Sequence, residues 1–120
     1  MVLDYRLKSE NEITTFVTSS IQIKNSIICG NLNFDNTIFL NYLDFEGTSF
    51  EGRVSFSNAK FHYSVHFSSE EQKTYFKGHV NFQNAEFLDF ANFENTSFER
   101  DAKFEHTIFK DTVFFKKAIF

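Results

Sequence analysis

The sequence predicts an all-β fold, a β-solenoid in which every turn of chain stacks on the turn below. Three observations carry that prediction. Phe stands at Phe34, Phe39, Phe45, Phe50, Phe56, Phe61, Phe67, Phe76, Phe82, Phe87, Phe93, Phe98, Phe104, Phe109, Phe115 and Phe120, at spacings that alternate 5 and 6 with a single 9. Two places before each of these centres lies a small or aliphatic residue, and the place between is mostly polar (Asn33, Asp44, Ser55, Asn81, Asn92, Lys103). That is the alternation of extended chain, with the centre and its i−2 neighbour on one face. Gly30, Gly52 and Gly78 recur every 22 residues once the four extra residues of the 9-step are removed, so one coil has four sides of 5, 6, 5 and 6 residues. Such a period fits neither an α-helix nor a coiled coil. A turn after every fifth or sixth residue also excludes a flat sheet of ordinary strands.

Taken in chain order, the array begins with aliphatic centres. Stepping back from Phe34 reaches Ile28, Ile23 and Val17, then fails at Glu12. The repeats therefore span residues 15–120, and residues 1–14 form an N-terminal cap segment. Its Val2, Leu3, Tyr5, Leu7 and Ile13 suit either a short helix or an irregular strand. Four stacks follow from the 22-residue coil, led by Phe34/Phe56/Phe82/Phe104 and Phe39/Phe61/Phe87/Phe109. The other two are Ile23/Phe45/Phe67/Phe93/Phe115 and Ile28/Phe50/Phe76/Phe98/Phe120, which gives between four and five coils. Phe50, Phe56, Phe61, Phe82, Phe87, Phe93, Phe98 and Phe104 are expected to be buried. Asn36, Gly47, Asn58, Gly78, Asn84 and Asn95 stand two places after a centre, where a turn needs unusual backbone angles. The four-residue insertion near residues 68–73 should bulge as a polar loop, because Ser68–Lys73 has no inward-type residue and the phase resumes at Thr74 and Phe76. The sequence has no Pro, as expected where every strand must donate along the stack.

Units such as Leu43-Asp44-Phe45-Glu46-Gly47, Val80-Asn81-Phe82-Gln83-Asn84 and Ala91-Asn92-Phe93-Glu94-Asn95 resemble the pentapeptide-repeat family, in its Phe-rich variety with alternating 5- and 6-residue spacing. The family pattern is a small residue, Asp or Asn, Leu or Phe, a polar residue and often Gly. The resemblance covers the array from residue 15 onward. It implies a right-handed quadrilateral β-helix with the centre and the i−2 side chain inward.

Composition excludes several functions. The net charge is −4, from 12 Lys+Arg against 16 Asp+Glu, which is the wrong sign for direct nucleic-acid binding. One Cys permits neither an internal disulfide nor a multi-Cys zinc site and suits a reducing, cytoplasmic location. No apolar run is long enough to span a membrane, and the charged start of the chain does not read as a signal peptide. His62 and His66 are separated by a turn and lack a third ligand; His79 and His106 are isolated; Cys29 has no activating base. Glu46, Glu51, Glu94, Glu99, Asp101 and Glu105 are scattered over outward places. No phosphate-loop, dinucleotide or nucleophile-elbow motif occurs. The sequence therefore predicts no enzyme, no cofactor and no metal.

What is left is the surface. One corner is polar, as in Glu51-Gly52-Arg53. That polar corner is one of two that lie diagonally across the coil, and the other exposes Leu40, Tyr42, Tyr63, Leu88 and Phe90, a candidate partner patch. The last coil presents Phe109, Phe114, Phe115 and Phe120, a candidate homodimer end where Phe120 is the natural terminus. The expected function is a non-catalytic protein-interaction or scaffold module with a protein partner of unknown identity. The family resemblance supplies one alternative, a DNA mimic acting on a type II topoisomerase. Another is a structural appendage of a larger, even membrane-associated, protein. From Phe34 onward, 13 acidic residues are interrupted by 9 basic ones, which weakens a mimic's field.

Overall fold

In the computed structural model, which describes residues 3–9 and 12–120, the chain forms nineteen short strands and no helix. The array coils into four parallel sheets, one per side of the solenoid. The first face holds strand β1 (Leu3–Ser9), strand β2 (Glu12–Val17) and then Thr37–Phe39, Lys60–Phe61, Glu86–Phe87 and Ile108–Phe109. The second runs Ile21–Gln22, Leu43–Asp44, Val65–His66, Ala91–Asn92 and Val113–Phe114. The third contains Ile27–Ile28, Ser49–Phe50, Thr74–Phe76 and Thr96–Phe98, with Ser97 bridging on to Ile119. The fourth contains Leu32–Asn33, Val54–Ser55, Val80–Asn81 and Ala102–Lys103. Strands this short have no independent stability. They persist because their amides bond to neighbouring coils, upward as Phe56 N donates to Asn81 O (2.7 Å) and Phe82 N to Lys103 O (2.7 Å), and downward as His62 N donates to Phe39 O (3.1 Å).

All four expected stacks form. Phe34, Phe56, Phe82 and Phe104 lie with ring centroids 5.1–5.2 Å apart and nearly parallel. Phe39, Phe61, Phe87 and Phe109 repeat this at 4.4–5.0 Å. Neighbouring stacks meet edge to face, as Phe56 meets Phe67 at 81°. Each ring thus gains the offset or perpendicular geometry that its quadrupole favours. Burial of such a side chain contributes about 1.5–3 kcal/mol. Seven of the eight Phe expected inside are buried; Phe104 is only half-buried and packs against the core from near its open end.

The corners are of two kinds, and the residue types decide which. At the corners leading out of the second and fourth faces, a left-handed residue follows the centre by two places. These are Asn25, Asn36, Gly47, Asn58, Asn84, Asn95, His106 and Lys117, with φ between 51° and 75°. Their turns close by a bond from the next amide to the centre's carbonyl, such as Ala59 N to Phe56 O (3.0 Å). The preceding polar residue fastens the same turn: Asn33, Asn81 and Asn92 Oδ1 accept the amide of Asp35, Gln83 and Glu94 at 2.8 Å. This is the Asx geometry that selects Asn and Asp there. Where Ser55 takes that place, Asp35 of the previous coil reaches across and accepts from Ser57 N (2.9 Å) and from the Ser55 hydroxyl.

Gly78 departs from expectation. It lies at a wide corner, between the third and fourth faces, and does not share the positive φ of Gly47. It is needed for space: a Cβ there would sit 2.4 Å from Gly52 O and 2.6 Å from Gly52 C, and one at Gly52 would sit 2.7 Å from Gly30 O.

The N-terminal segment is strand rather than helix. β1 pairs antiparallel with β2, from Leu3↔Val17 to Ser9↔Glu12. β2 then pairs parallel with Thr37–Phe39, Val17 opposite Phe39. The first rung of the solenoid therefore lies within a strand that starts at Glu12, ahead of the expected boundary. Val2 lies outside the described residues.

Candidate interaction surface

The interior is filled by stacked rings, so any chemistry or recognition belongs to corners, faces and ends. The corner between the first and second faces holds the sequence-derived patch. Leu40 and Tyr42 are each 37% exposed and Tyr63 54% exposed. The corner is fixed by its own polar residue. Asn41 Oδ1 accepts from Tyr42 N (2.9 Å), and Asp89 and Asp111 repeat this with Phe90 N (2.7 Å) and Thr112 N (2.6 Å). Asn41 Nδ2 also donates to Thr18 O, and Gln22 Nε2 donates to the Tyr42 hydroxyl.

Leu88 and Phe90 were expected to be exposed and are half-buried instead. The Phe90 ring turns along the second face, where it meets His66 edge-on at 5.0 Å and Phe114 at 6.4 Å. This packing also leaves His66 half-buried, while His62, His79 and His106 are exposed. The patch therefore narrows to Leu40, Tyr42 and Tyr63 at the edge, with Leu88 and Phe90 beneath.

At the C-terminal end, Phe115 and Phe120 are 36% and 69% exposed and Phe114 is also exposed, whereas Phe109 is half-buried. Apolar side chains also face outward where the sequence reading did not look. Ile27, Tyr75 and Ile119 are exposed along the third face, and Ile108 on the first. Ile27, Tyr75 and Ile119 stand in one column with Ser49 and Ser97. The signal was available, since these occupy the place before a centre where polar residues are the rule.

Charges alternate up the coils. Lys110 and Lys60 flank Glu86 (2.8 and 3.8 Å), Lys24 meets Asp44 and Glu46 (3.2 and 3.6 Å), and Lys77 meets Glu51 (3.6 Å). The hydrogen bond from Lys110 holds the Glu86 carboxyl below its ordinary pKa, and Asp44 raises that of Lys24. Glu86 thus adds stability above the usual carboxylate range, and that contribution is lost as the pH falls through its lowered pKa. Among the described residues there is no group of three or more His, Cys, Asp or Glu arranged to hold a metal, Cys29 is exposed, and no helix is long and apolar enough to cross a membrane.

The insertion interrupts a tight corner between the second and third faces, and the coils stay in phase around it. Phe76 pairs with Phe50 below and Phe98 above. Ser68 is the exception to its polar, outward character: it is fully buried, and its hydroxyl donates to Gln72 O and to Asn95 O (3.3 Å). Removing residues 69–72 would join Ser68 to Lys73 and place Lys73 at the left-handed position that Lys117 already occupies at φ 61°. The shortened chain is expected to keep its β circular dichroism and to melt within a few degrees of the parent. Loss of the β spectrum would show that the loop is structural.

A family model for pentapeptide repeats matches residues 18–69 and 72–119, in nine copies, and the gap between the two stretches falls within the insertion. Comparisons with curated proteins and with solved structures found no match.

Proposed function

The chain belongs to the pentapeptide-repeat family, and from that premise we propose that it is a non-catalytic scaffold that binds a protein partner through the corner between its first and second faces. One observation carries the reading. Leu40 and Tyr42 stand out on a turn pinned by Asn41, and Tyr63 takes the place of Asn41 in the next coil, so their apolar surface is presented rather than folded away. Rigid aromatic side chains of this kind cost little entropy on binding and are favoured as contact anchors. The filled core supports a surface role, since among the described residues the interior is occupied by stacked rings. An exposed Cys29 without a second cysteine supports a reducing, cytoplasmic setting. The paired lysines weigh against the DNA-mimic alternative, because they break the continuous negative field that such a mimic needs.

The test is a photo-crosslinking residue placed at Tyr63 and, separately, at Glu105 on another corner, in cells that make the protein. The reading expects one discrete adduct from Tyr63 that Leu40→Glu abolishes, and none from Glu105. Equal labelling from both positions, or none from Tyr63, overturns it.

Where Phe120 is the natural terminus, the same proposal extends to the C-terminal coil, on which a second copy would stack end to end through Phe109, Phe114, Phe115 and Phe120. Exposed rings and unpaired strand edges support this occupant, because a second copy supplies both matching rings and matching hydrogen bonds. Light scattering should give twice the chain mass at micromolar concentration, and Phe115→Asp or Phe120→Lys should return a monomer. A monodisperse monomer from the unsubstituted chain rules the dimer out.

A further inference from the structure

We propose that the fourth face and the corner leading into it form a binding groove for a phosphate-bearing small anion. The observation behind it is an asymmetry in how the cations are used. Lys24, Lys60, Lys77 and Lys110 all lie beside carboxylates, and Lys73 lies over the Tyr75 ring. Arg53, Arg100 and Lys103 have no carboxylate within ion-pair distance among the described residues, and all three are exposed. Lys116 and Lys117 are unpaired too among the described residues, on the last corner, whereas these three line adjoining depressions. Arg53 and Lys103 line one cavity of about 400 Å³ along the fourth face, together with Ser55, His79 and Asn81. Arg53 and His79 also line an adjoining cavity of about 380 Å³ over the glycine corner, together with Arg100 and Lys77. Both are open surface depressions that share Arg53 and His79, and together they carry Arg53, Lys77, Arg100 and Lys103 against Glu51 and Asp101, a basic excess on a chain whose net charge is −4.

The floor suits an oxyanion. Gly52 and Gly78 put no side chain over the corner and let successive coils close up, a Cβ at Gly78 falling 2.4 Å from Gly52 O. The amides of Gly52, Gly78 and His79 donate to no carbonyl or side chain among the described residues, whereas the corresponding Arg53 amide donates to Asn31 Oδ1 (2.8 Å). Main-chain amides beside guanidinium groups are the usual means of holding phosphate oxygens. Arg offers a two-pronged match to such an anion and is weakly hydrated, so it binds at lower desolvation cost than Lys. Two carboxylates also line the groove: Glu51 faces Lys77 at 3.6 Å, and Asp101 lies 3.6 Å from His79 Nδ1, which offsets its charge only where the imidazole is protonated. The strands beneath are locked in register with their neighbours, Val80 against Val54 and Ala102, so the cations sit on a stiff platform.

The probe is sodium tripolyphosphate, added to the isotopically labelled full chain and followed by amide NMR shifts. Shifts are expected at Gly52, Gly78 and His79 and not on the first face, at Lys60 or Glu86. Arg53→Ala and Arg100→Ala should each weaken binding about tenfold, the size of one charge-assisted hydrogen bond at an open site. Lys116→Ala, outside the groove, should change nothing. ATP and inorganic phosphate are the comparison arms: equal affinity for ATP and tripolyphosphate assigns recognition to the phosphate chain, and tighter ATP binding assigns part of it to the nucleoside. Both of those results support the groove. Shifts spread over all faces, an equal loss with Lys116→Ala, or no shift at millimolar tripolyphosphate each overturns it. The wild-type shift map needs no variant, so it decides the matter even if a substitution harms folding.

Discussion

Phe56→Ala and Phe87→Ala are each expected to lower the unfolding free energy by about 3–5 kcal/mol. Phe56 is 1% exposed and lies between Phe34 and Phe82, with centroids 5.2 Å away on either side. It also touches Phe39, Phe61 and Phe67 at 5.5–6.2 Å. Phe87 is enclosed in the same way by Phe61 at 4.4 Å and Phe109 at 4.9 Å. In many cores a truncated site recovers part of the loss by collapsing. Here the coils above and below are held apart by their backbone hydrogen bonds at a fixed strand spacing, so the hole stays open and the full cavity cost is expressed. Phe114→Ala removes the same atoms from an exposed place and should cost far less. Chemical denaturation of the three variants checks the contrast. A Phe56→Ala protein as stable as the parent would mean that the inward register is wrong.

Gly78→Ala is the second large effect, and its cause is different. The added Cβ would sit 2.4 Å from Gly52 O, 2.6 Å from Gly52 C and 3.0 Å from Arg53 N. All three are backbone atoms, so no side chain can swing away. The coils must part locally, stretching bonds such as Val54 N to His79 O (3.0 Å). A cost of about 1–3 kcal/mol is expected, at the upper end because the obstacle is main chain. Gly30→Ala is the matched control, since nothing lies within 4 Å of its Cβ. Because neither residue has a positive φ, the pair isolates crowding from backbone strain. Equal melting temperatures for the two variants would show that the coils are farther apart at this corner than observed.

Much of the fold was legible because the solenoid repeats a local rule. Each Phe centre and its i−2 partner point inward on the strength of strand alternation alone, and the 22-residue coil places centre over centre without further information. The insertion was legible for the same reason, as four residues that leave the phase unchanged. The reading failed where a residue's environment comes from the next coil. Ser68 looks like a loop residue, yet Asn95 O above and Gln72 O beside it draw its hydroxyl into the interior. Phe90 looks like a bare corner aromatic, yet His66 and Phe114 lie against its ring.

The amino-acid sequence by itself therefore determined the solenoid, its four stacks, the position of its insertion and the tight corners that call for Asn. These rest on short-range preferences, repeated until they dominate. Only the tertiary structure decided why Gly78 must be Gly, which patch residues reach solvent, and that β1 folds back on β2. It alone set Arg53 near Lys103 along the fourth face and near Arg100 at the glycine corner, from coils two apart in the stack. Those outcomes depend on distances between coils, which hydrogen bonds set at a few ångströms. Residues 22 or 26 apart in the chain become neighbours there, and a side chain's exposure is then settled by what the adjacent coil puts beside it.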